Sequence, residues 1–193
     1  MEQLFDESKL YPWGGDFTLG DYKKNVAVVI LNSEYSPSEK IAVFGKLKTE
    51  NIGIEKIIAN IISNPYIRFL IICGEEIRGH RSGNSLVCLH KNGIDENNRI
   101  IDAPGAIPYI ENIDKDAIKR FQDQIEIIDL INVTDTNLIE KKVSDHLNIN
   151  TDSYGEQYIS IQLKKEKDLS LDDKRALHSK IILNYLGKIE KRK

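Results

Sequence analysis

The sequence predicts an α/β protein with a Rossmann-like, doubly wound and mostly parallel sheet flanked by helices. Two apolar runs, VAVVIL at residues 26–31 and IRFLIIC at residues 67–73, have the continuous β-branched character of strands that are buried on both faces. Other stretches space their apolar residues by three and four positions, which is typical of helices with one buried face. Because such helices alternate with the strands, a parallel sheet is favoured.

In the first half of the chain, each element has its own stop signal. Residues 41–44 are a short strand candidate that ends at Gly45. A helix is predicted at residues 49–63, where isoleucines recur at helical spacing. Asn64 and Pro65 end this helix, because the residue before a proline disfavours the helical conformation.

The second half of the chain continues the alternation. A helix at residues 82–92 is predicted to end at Gly93, which suits a left-handed cap. The remaining elements are, in order, a short strand at 99–102, a helix at 115–124, a strand at 125–131 and a helix at 136–147. We expect residues 1–149 to form one α/β domain.

The last part of the chain, residues 150–193, departs from this pattern. It begins with a turn-rich stretch, and residues 158–163 alternate apolar and polar side chains like an edge strand. Ser170 and Asp173 then resemble a capping box, which predicts a C-terminal amphipathic helix packed on the domain or on a partner. The apolar residues of this helix are Leu177, Ile181, Leu183 and Leu186.

Composition and charge exclude several classes of function. The 193 residues carry a formal net charge of −3, which does not favour binding to nucleic acid or to an anionic membrane surface. No apolar run approaches the roughly 20 residues that span a bilayer, so we expect no membrane insertion. Cys73 and Cys88 lack a CxxC spacing, which predicts reduced thiols in a cytoplasmic protein.

One loop carries the residue types of a ligand site. After the strand at 67–73, the sequence GEEIRGHRSGN places His80 between Gly79 and Gly83. The crevice beyond the carboxyl ends of parallel strands binds ligands, and a neutral imidazole there can coordinate a metal. The competing interpretation is that His80 only hydrogen-bonds within a tight loop.

Two other kinds of site are disfavoured. A zinc site built from Cys73, Cys88 and His90 lacks a recognised ligand spacing. A nucleotide-binding dehydrogenase lacks its phosphate cradle, because neither GxGxxG nor GxxxxGK[ST] follows any strand.

Three stretches together point to one known family. They are KTENIGIEK at residues 48–56, CGEEIRGH at residues 73–80 and GAIPYIEN at residues 105–112. In this order they resemble the corrinoid-carrying A subunit of tetrahydromethanopterin S-methyltransferase, the methanogen enzyme that passes a methyl group to coenzyme M. The resemblance covers roughly residues 10 to 147. It implies a Rossmann-like domain that holds a cobamide, with His80 as the lower axial ligand of cobalt.

The resemblance also implies a function. The cobalt would cycle between Co(I) and methyl-Co(III), taking the methyl group from a small-molecule donor and passing it to a thiol acceptor with the help of methyltransferase partner subunits. Imidazole suits this role because it stabilises Co(III) and is released from four-coordinate Co(I). Two alternatives remain open: a soluble paralogue that binds or stores cobamide without methyl turnover, and an interaction domain that binds no corrinoid.

Further residues are candidates for lining this site, on the grounds of their position and chemistry. Besides His80, the candidates are Gly79, Ser82 and Gly83 in the loop; Glu75 and Glu76 as acids that orient the imidazole; Lys48, Thr49, Glu50 and Asn51 at a helix start; and Gly105, Ala106, Ile107, Pro108 and Tyr109 as a wall against the corrin ring. Simple helix capping by Thr49 and an ordinary buried turn at residues 105–109 are the competing interpretations. Arg78 stands where other corrinoid proteins with an Asp-x-His-x-x-Gly motif have the aspartate.

The C-terminal region differs from the family pattern. Family members of the membrane complex typically end in one transmembrane helix, whereas this chain ends in a charged, amphipathic segment. We therefore expect a soluble relative, with a trimmed form as the alternative. Its expected location is the cytoplasm, either free or peripheral to a membrane methyltransferase complex.

Overall fold

A five-stranded sheet forms the centre of the first part of the chain. The computed structural model describes residues 5–161 and the backbone of residues 175–177, 181–184 and 189–191. The chain divides into two units, Met1–Gln162 and Leu163–Lys193. The first unit therefore continues past the predicted boundary at residue 149. Its strands are Phe17–Leu19 (β1), Val26–Ile30 (β2), Val43–Lys46 (β3), Phe69–Gly74 (β4) and Glu126–Ile131 (β5).

The sheet has the strand order β1-β3-β2-β4-β5. The neighbours β3, β2, β4 and β5 run parallel, and only β1 is antiparallel to its neighbour β3. In this register Ile72 of β4 lies between Val29 of β2 and Asp129 of β5. The predicted α/β fold with a mostly parallel sheet is confirmed.

Four helices flank the sheet: Ile52–Ile62 (α1), Ser82–Asn92 (α2), Lys115–Gln124 (α3) and Thr136–Leu147 (α4). The bounds of α2, α3 and α4 are those predicted from the sequence. Asp114 and Asp135 cap α3 and α4, because their carboxylates accept hydrogen bonds from the first free backbone N–H groups. The helix α1 begins three residues later than predicted, since residues 49–51 form its cap.

Two apolar layers hold the helices to the sheet. On one face, Val29, Leu70 and Ile72 pack in a cluster with apolar residues of α1, α2 and α3. On the other face, Ile71 and Cys73 pack with Ile139 and Val143 of α4. Each such side chain contributes about 1.5–3 kcal/mol when it is fully buried. Helices on both faces make the sheet doubly wound, as predicted.

Some predicted elements of the first unit differ in the structure. The strand expected at 41–44 lies two residues later, at Val43–Lys46, and the short strand β1 was not predicted. Residues 99–102 form no strand but only isolated bridges, between Ile94 and Ile100 and between Arg99 and Tyr109. Residues 158–161 of the expected edge strand are not in a strand either.

The segment that follows α4 is held by two arginines. Arg120 donates hydrogen bonds to the carbonyl oxygens of Tyr154 and Glu156, and its guanidinium lies 4.7 Å from the Tyr154 ring centre. Arg68 donates to the carbonyl of Asp152 at 3.0 Å. These contacts explain why residues 150–161 belong to the first unit.

The second unit has strands where a helix was predicted. Its described backbone forms Arg175–Leu177 (β6), Ile181–Asn184 (β7) and Ile189–Lys191 (β8), antiparallel in the order β6-β7-β8. The prediction of a C-terminal amphipathic helix is wrong for these residues. The expected cap at Ser170 and Asp173 lies outside the described residues.

Candidate functional site

The carboxyl ends of β2 and β4 border a crevice at which the strand order reverses. The chain leaves β2 towards β3 on one side and leaves β4 towards β5 on the other side. Such a switch point is the usual ligand-binding edge of an open α/β sheet. The loops after the two strands are joined there, because the Asn32 N–H donates to the Glu75 carbonyl and the Glu75 N–H donates to Ser33 Oγ, both at 3.0 Å.

His80 lies in the loop between β4 and α2, where the backbone bends sharply. Gly79 has a φ of +82° and Arg81 a φ of +45°. The left-handed conformation suits glycine, but it costs an arginine of order 1 kcal/mol. Such strain is common at functional sites, and here it directly flanks the imidazole.

A buried carboxylate orients the imidazole. The Glu50 side chain is 2% exposed, and its Oε2 lies 2.7 Å from Nδ1 of His80, whose side chain is 54% exposed. Among the described residues, Nε2 of His80 has no hydrogen-bond partner. The geometry therefore favours the tautomer with the proton on Nδ1, which leaves the lone pair of Nε2 available to a metal.

The charge of Glu50 supports this tautomer. Burial by itself raises the pKa of Glu50, but the hydrogen bonds from the Ile107 backbone, its own backbone and His80 outweigh it, so the pKa is lowered. Glu50 is consequently ionised at neutral pH and acts only as an acceptor. Its other oxygen, Oε1, accepts from the Ile107 N–H at 2.9 Å. One carboxylate thus joins the three sequence stretches that carry the family resemblance.

Glu75 and Glu76 do not orient the imidazole, although they were the expected acids. The Glu76 carboxylate caps α2, accepting from the backbone N–H groups of Gly83 at 3.1 Å and Asn84 at 2.8 Å. Glu75 is exposed. The structure assigns the expected carboxylate role to Glu50, which the sequence had placed only among the cofactor contacts.

The loop of residues 105–112 is held at a second point. Glu55, which is 1% exposed, accepts hydrogen bonds from the backbone N–H groups of Glu111 and Asn112, the latter at 2.9 Å. It also accepts from Nδ2 of Asn112 at 2.6 Å. Two buried carboxylates of the KTENIGIEK stretch therefore anchor this loop.

Gly105 lies directly against His80. A Cβ atom at this position would be 2.5 Å from the His80 carbonyl oxygen and 2.9 Å from Ser85 Oγ, so only glycine fits. Beyond it, Ala106 and Ile107 are exposed, whereas Pro108 is buried. Tyr109 is half-buried and lies under the Arg99 guanidinium at 5.3 Å. The exposed apolar part of the predicted wall is thus Ala106 and Ile107.

At the start of α1, two of the predicted residues serve as caps. Thr49 Oγ1 accepts from the Gly53 N–H at 3.0 Å, and Asn51 Oδ1 accepts from the Ile52 N–H at 2.8 Å. The Lys48 ammonium instead lies at the surface, 2.8 Å from Asp16 Oδ2. Lys48 also borders a crevice of about 390 Å³ that reaches Ile77 in the His80 loop.

Two buried hydroxyls lie in the first turns of α2. Among the described residues, none hydrogen-bonds to the Oγ atoms of Ser82 and Ser85. Gly83 lies beside them and packs on Leu31. A Cβ atom at position 83 would lie only 2.7 Å from Leu31 Cδ1, so the contact requires glycine. Sequence reasoning had singled out Ser82 but not Ser85, which only its burial and its approach to Gly105 reveal.

Cys73, Cys88 and His90, the residues of the disfavoured zinc site, are not brought together as a set of metal ligands among the described residues. Within residues 5–161, no three His, Cys, Asp or Glu side chains gather as they do around a metal ion. His90 Nε2 is instead 2.7 Å from the Ile125 carbonyl oxygen.

In the part of the chain that the structure describes, no helix has the length and apolarity required to cross a membrane.

The chain is similar in sequence to members of one known protein family. Residues 7–170 match the family described as the A subunit of tetrahydromethanopterin S-methyltransferase. Methanothermobacter thermautotrophicus has two numbered A subunits of this enzyme. The first is 48% identical over 155 residues, which cover 78% of this chain and 65% of the relative. The second is 47% identical over 135 residues, or 68% of this chain and 74% of the relative.

A third relative belongs to a differently named methyltransferase. It is a Methanosarcina barkeri protein that its name assigns provisionally as the A subunit of a methyltransferase Mtx. It is 44% identical over 153 residues, which cover 79% of this chain and 78% of the relative. The family match and these identities show that the chain belongs to the methyltransferase family of tetrahydromethanopterin S-methyltransferase A subunits.

Proposed function

We propose that this chain holds a cobamide and carries a methyl group on it, with His80 as the lower axial ligand of cobalt. The observation that carries the proposal is the hydrogen bond between Glu50 and His80, which fixes the ring through Nδ1 and leaves Nε2 without a partner among residues 5–161. Metal-ligating histidines usually donate their other N–H to a carboxylate or a carbonyl in this way.

The residues present fit such a group. A corrin ring already supplies four nitrogen ligands, so one imidazole suffices, and no cluster of protein ligands is needed. The hydroxyls of Ser82 and Ser85 beneath the loop, unpartnered within the described residues, are unusual, because buried polar groups nearly always find a partner. Gly105 lets its loop lie close to His80, and the exposed Ala106 adds a small side chain that a large flat ring can approach closely.

The side chains of the site would have different roles in holding a cobamide. When bound, a cobamide supplies a cobalt centre that takes up and gives off a methyl group. His80 presents the Nε2 lone pair, and Glu50 keeps the ring in the orientation that allows this. The exposed Ala106 and Ile107 offer contact area beside the imidazole, while Glu55 and Glu50 hold their loop in place.

The methyl donor and acceptor are inferred from the relatives. Methyl-tetrahydromethanopterin as donor fits the name of the Methanothermobacter relatives, and coenzyme M as thiol acceptor comes from the family resemblance of the sequence. This chain spans 65% of the length of the first of them. Because that relative is named as one subunit of an enzyme, turnover is expected to need partner subunits that present the two substrates. The two cysteines of the chain are free thiols, which supports work in the cytoplasm.

The experiment that tests the proposal is reconstitution with hydroxocobalamin followed by gel filtration and a UV–visible spectrum. Wild type is expected to retain corrinoid with a histidine-shifted spectrum, and His80→Ala to lose that shift. The matched control is His146→Ala, because His146 lies on α4 with its Nδ1 bonded to the Lys142 carbonyl. Equal spectra for wild type and His80→Ala, or no retained corrinoid, would refute the proposal.

Transfer of the methyl group needs a second measurement. With methylated corrinoid bound and partner subunits added, loss of the methyl group to a thiol distinguishes a carrier from a storage protein. A chain that binds corrinoid but is never demethylated by any partner fits the storage role instead.

A further inference from the structure

The loop that carries His80 is closed at both ends by one carboxylate. Oε1 of Glu76 accepts hydrogen bonds from the backbone N–H of Ile77 at 3.0 Å and from that of Gly83 at 3.1 Å. Oε2 accepts from the backbone N–H of Asn84 at 2.8 Å and from its side-chain amide at 2.6 Å. The chain between these donors therefore forms a closed loop, with His80 near its middle.

These four hydrogen bonds use the full accepting capacity of the carboxylate. An ionised carboxylate has about four lone-pair sites, and it donates no hydrogen bond. A glutamine in the same place would direct its NH2 group at N–H donors and could satisfy only those on its remaining oxygen. The closure of the loop consequently depends on the charge of Glu76 and not only on the length of its side chain.

Asn132 holds the closed loop to the end of β5. Its Oδ1 accepts from the Glu76 N–H at 3.0 Å, and its own N–H donates to the Gly74 carbonyl at 2.8 Å. The Gly74 N–H donates in turn to the Val133 carbonyl at 2.9 Å. The end of β5 thus fixes the residues at which the chain leaves β4 and enters the His80 loop.

The backbone conformation of Asn132 shows what its side chain adds. Its φ is +66°, in the left-handed region that glycine adopts at the lowest cost. A glycine would keep the backbone hydrogen bond to Gly74 but would supply no acceptor for the Glu76 N–H. The contribution of asparagine at this position is therefore the contact of Oδ1 with the start of the loop.

The His80 loop needs such restraint. Gly79 and Arg81, on either side of the imidazole, have φ values of +82° and +45°. Glycine permits many backbone conformations, and a left-handed arginine is strained. Strained backbone persists only where the surrounding contacts hold it. The hydrogen bonds of Glu76 supply contacts of this kind at both ends of the loop.

We propose that Glu76 and Asn132 are positioning residues for His80, which hold its loop in the metal-binding conformation before a cobamide binds. The proposal rests on the proposed function, since the benefit of a preformed loop is tighter binding of the cobamide. When only a fraction of the molecules has the competent conformation, the apparent affinity falls by that fraction. Glu50 orients the imidazole, whereas these two residues act on the backbone that carries it.

The first test is a pair of substitutions at Asn132, measured by spectroscopic titration with hydroxocobalamin. Asn132→Gly keeps the backbone and removes Oδ1, so binding is expected to weaken by about three- to tenfold, the effect of one lost hydrogen bond. Asn132→Asp retains an acceptor and is expected to bind within about twofold of wild type. Wild-type affinity in Asn132→Gly, or equal losses in the two variants, would overturn the role of Oδ1.

The matched control is Asn98→Gly. Asn98 also has a left-handed backbone, with a φ of +61°, and its side chain has no hydrogen-bond partner among the described residues. This variant is expected to bind hydroxocobalamin like wild type. A loss equal to that of Asn132→Gly would show that the glycine itself, and not the missing Oδ1, weakens binding.

The second test removes the carboxylate that closes the loop. Glu76→Gln is expected to bind hydroxocobalamin at least about tenfold more weakly than wild type, while its spectrum at saturation keeps the histidine-dependent shift. That combination separates positioning from ligation, because the ligand itself is unchanged. Glu126→Gln, at an exposed position of β5, is the control. Wild-type affinity in Glu76→Gln would overturn the proposal.

Hydrogen exchange without corrinoid shows whether the loop is held beforehand. The backbone amides of Gly83 and Asn84 donate to Glu76 and are expected to exchange at least about tenfold faster in Glu76→Gln. Unchanged exchange would overturn the proposal, because the loop would then be held by other contacts.

Failure of the proposed function has a different signature. If wild type binds no hydroxocobalamin, no corrinoid site exists, and the positioning role falls with it. If wild type binds with a spectrum that depends on His80 but the variants at Glu76 and Asn132 bind equally well, only the positioning role fails.

Discussion

Glu50 and His80 are 30 residues apart in the chain, yet Oε2 of one and Nδ1 of the other are separated by 2.7 Å. The carboxylate is buried and the imidazole is half exposed, so the pair connects the core to the surface of the crevice. The same carboxylate holds the Ile107 backbone. Changes at Glu50 are therefore expected to affect the imidazole and the neighbouring loop together.

The substitution Glu50→Gln is expected to weaken corrinoid binding by about 10–100-fold, the usual cost of losing the group that orients a metal-bound histidine. The amide keeps one oxygen but also carries an NH2 group, so it cannot accept from both His80 and Ile107. Titration with hydroxocobalamin measures the effect. Glu126→Gln, at an exposed position of β5, is the control, and equal affinity in the two variants would contradict the expectation.

The stability of the protein should depend on pH through Glu50. Its pKa is lowered from the ordinary value of 4.5 in the folded protein, so the unfolded chain binds more protons in acid. The stabilisation is present above pH 4.5 and is lost as the pH falls through the lowered pKa. Urea unfolding between about pH 7 and about pH 3 should show a smaller loss for Glu50→Gln than for wild type. Parallel curves would refute this linkage.

The substitution Gly105→Ala should displace the His80 loop. The added methyl group would lie 2.5 Å from the His80 carbonyl oxygen and 3.0 Å from Cγ of Glu50, so backbone must move. We expect at least about tenfold weaker corrinoid binding, because the displaced backbone is that of His80 itself. Gly14→Ala is the control, since a Cβ there meets nothing within 4 Å. Unchanged binding in Gly105→Ala would contradict the expectation that this contact positions His80.

The substitution Phe121→Ala should destabilise the fold by about 3–5 kcal/mol. Phe121 of α3 is fully buried and makes an edge-to-face contact with His90 at 5.5 Å. Removal of its ring leaves a cavity between α2 and α3. Urea unfolding gives the difference, with Leu138→Ala as an exposed control expected to cost much less. A loss below about 1 kcal/mol for Phe121→Ala would mean that the helices close over the gap.

The two cysteines should react slowly with thiol reagents in the native protein. Burial raises the pKa of Cys73 to about 12. Burial, together with the charge of Asp102, also raises the pKa of Cys88. Since the thiolate is the reactive form, DTNB at about pH 8 should label Cys73 only after denaturation in guanidinium and should label the half-buried Cys88 more slowly than a free thiol. Rapid labelling of Cys73 in the folded protein would contradict its burial.

Elements with strong local signals could be predicted from the sequence. The helices α3 and α4 begin at Asp caps and keep one apolar face, and α2 ends at Gly93, whose φ is +72°. The strand β1 has only three residues at the sheet edge, two of them exposed, and therefore carries no apolar pattern. Its pairing with β3 is a tertiary contact that composition does not record.

The C-terminal strands were predicted as a helix because the apolar residues there fit two periods. Leu177 and Ile181 are spaced like one face of a helix, but Ile181 and Leu183 are spaced like one face of a strand. Ile181 and Ile182 are β-branched, which favours the strand that the structure has.

In the site, His80 could be singled out from its loop and from the family resemblance, but its partner could not. Acids close in sequence, Glu75 and Glu76, were the natural candidates. The acid that contacts His80 is Glu50, which precedes β4 in the sequence, whereas His80 follows β4. Only the fold brings the two side chains together.

The anchoring of residues 105–112 has a consequence for protein engineering. Glu50 and Glu55 hold this loop mainly by accepting hydrogen bonds from its backbone N–H groups, which every residue except proline provides. The exposed side chain at position 107 can therefore be randomised in a library without loss of the anchor, provided that proline is left out. The loop is a ready place to alter which molecule the crevice accepts while the rest of the protein stays unchanged.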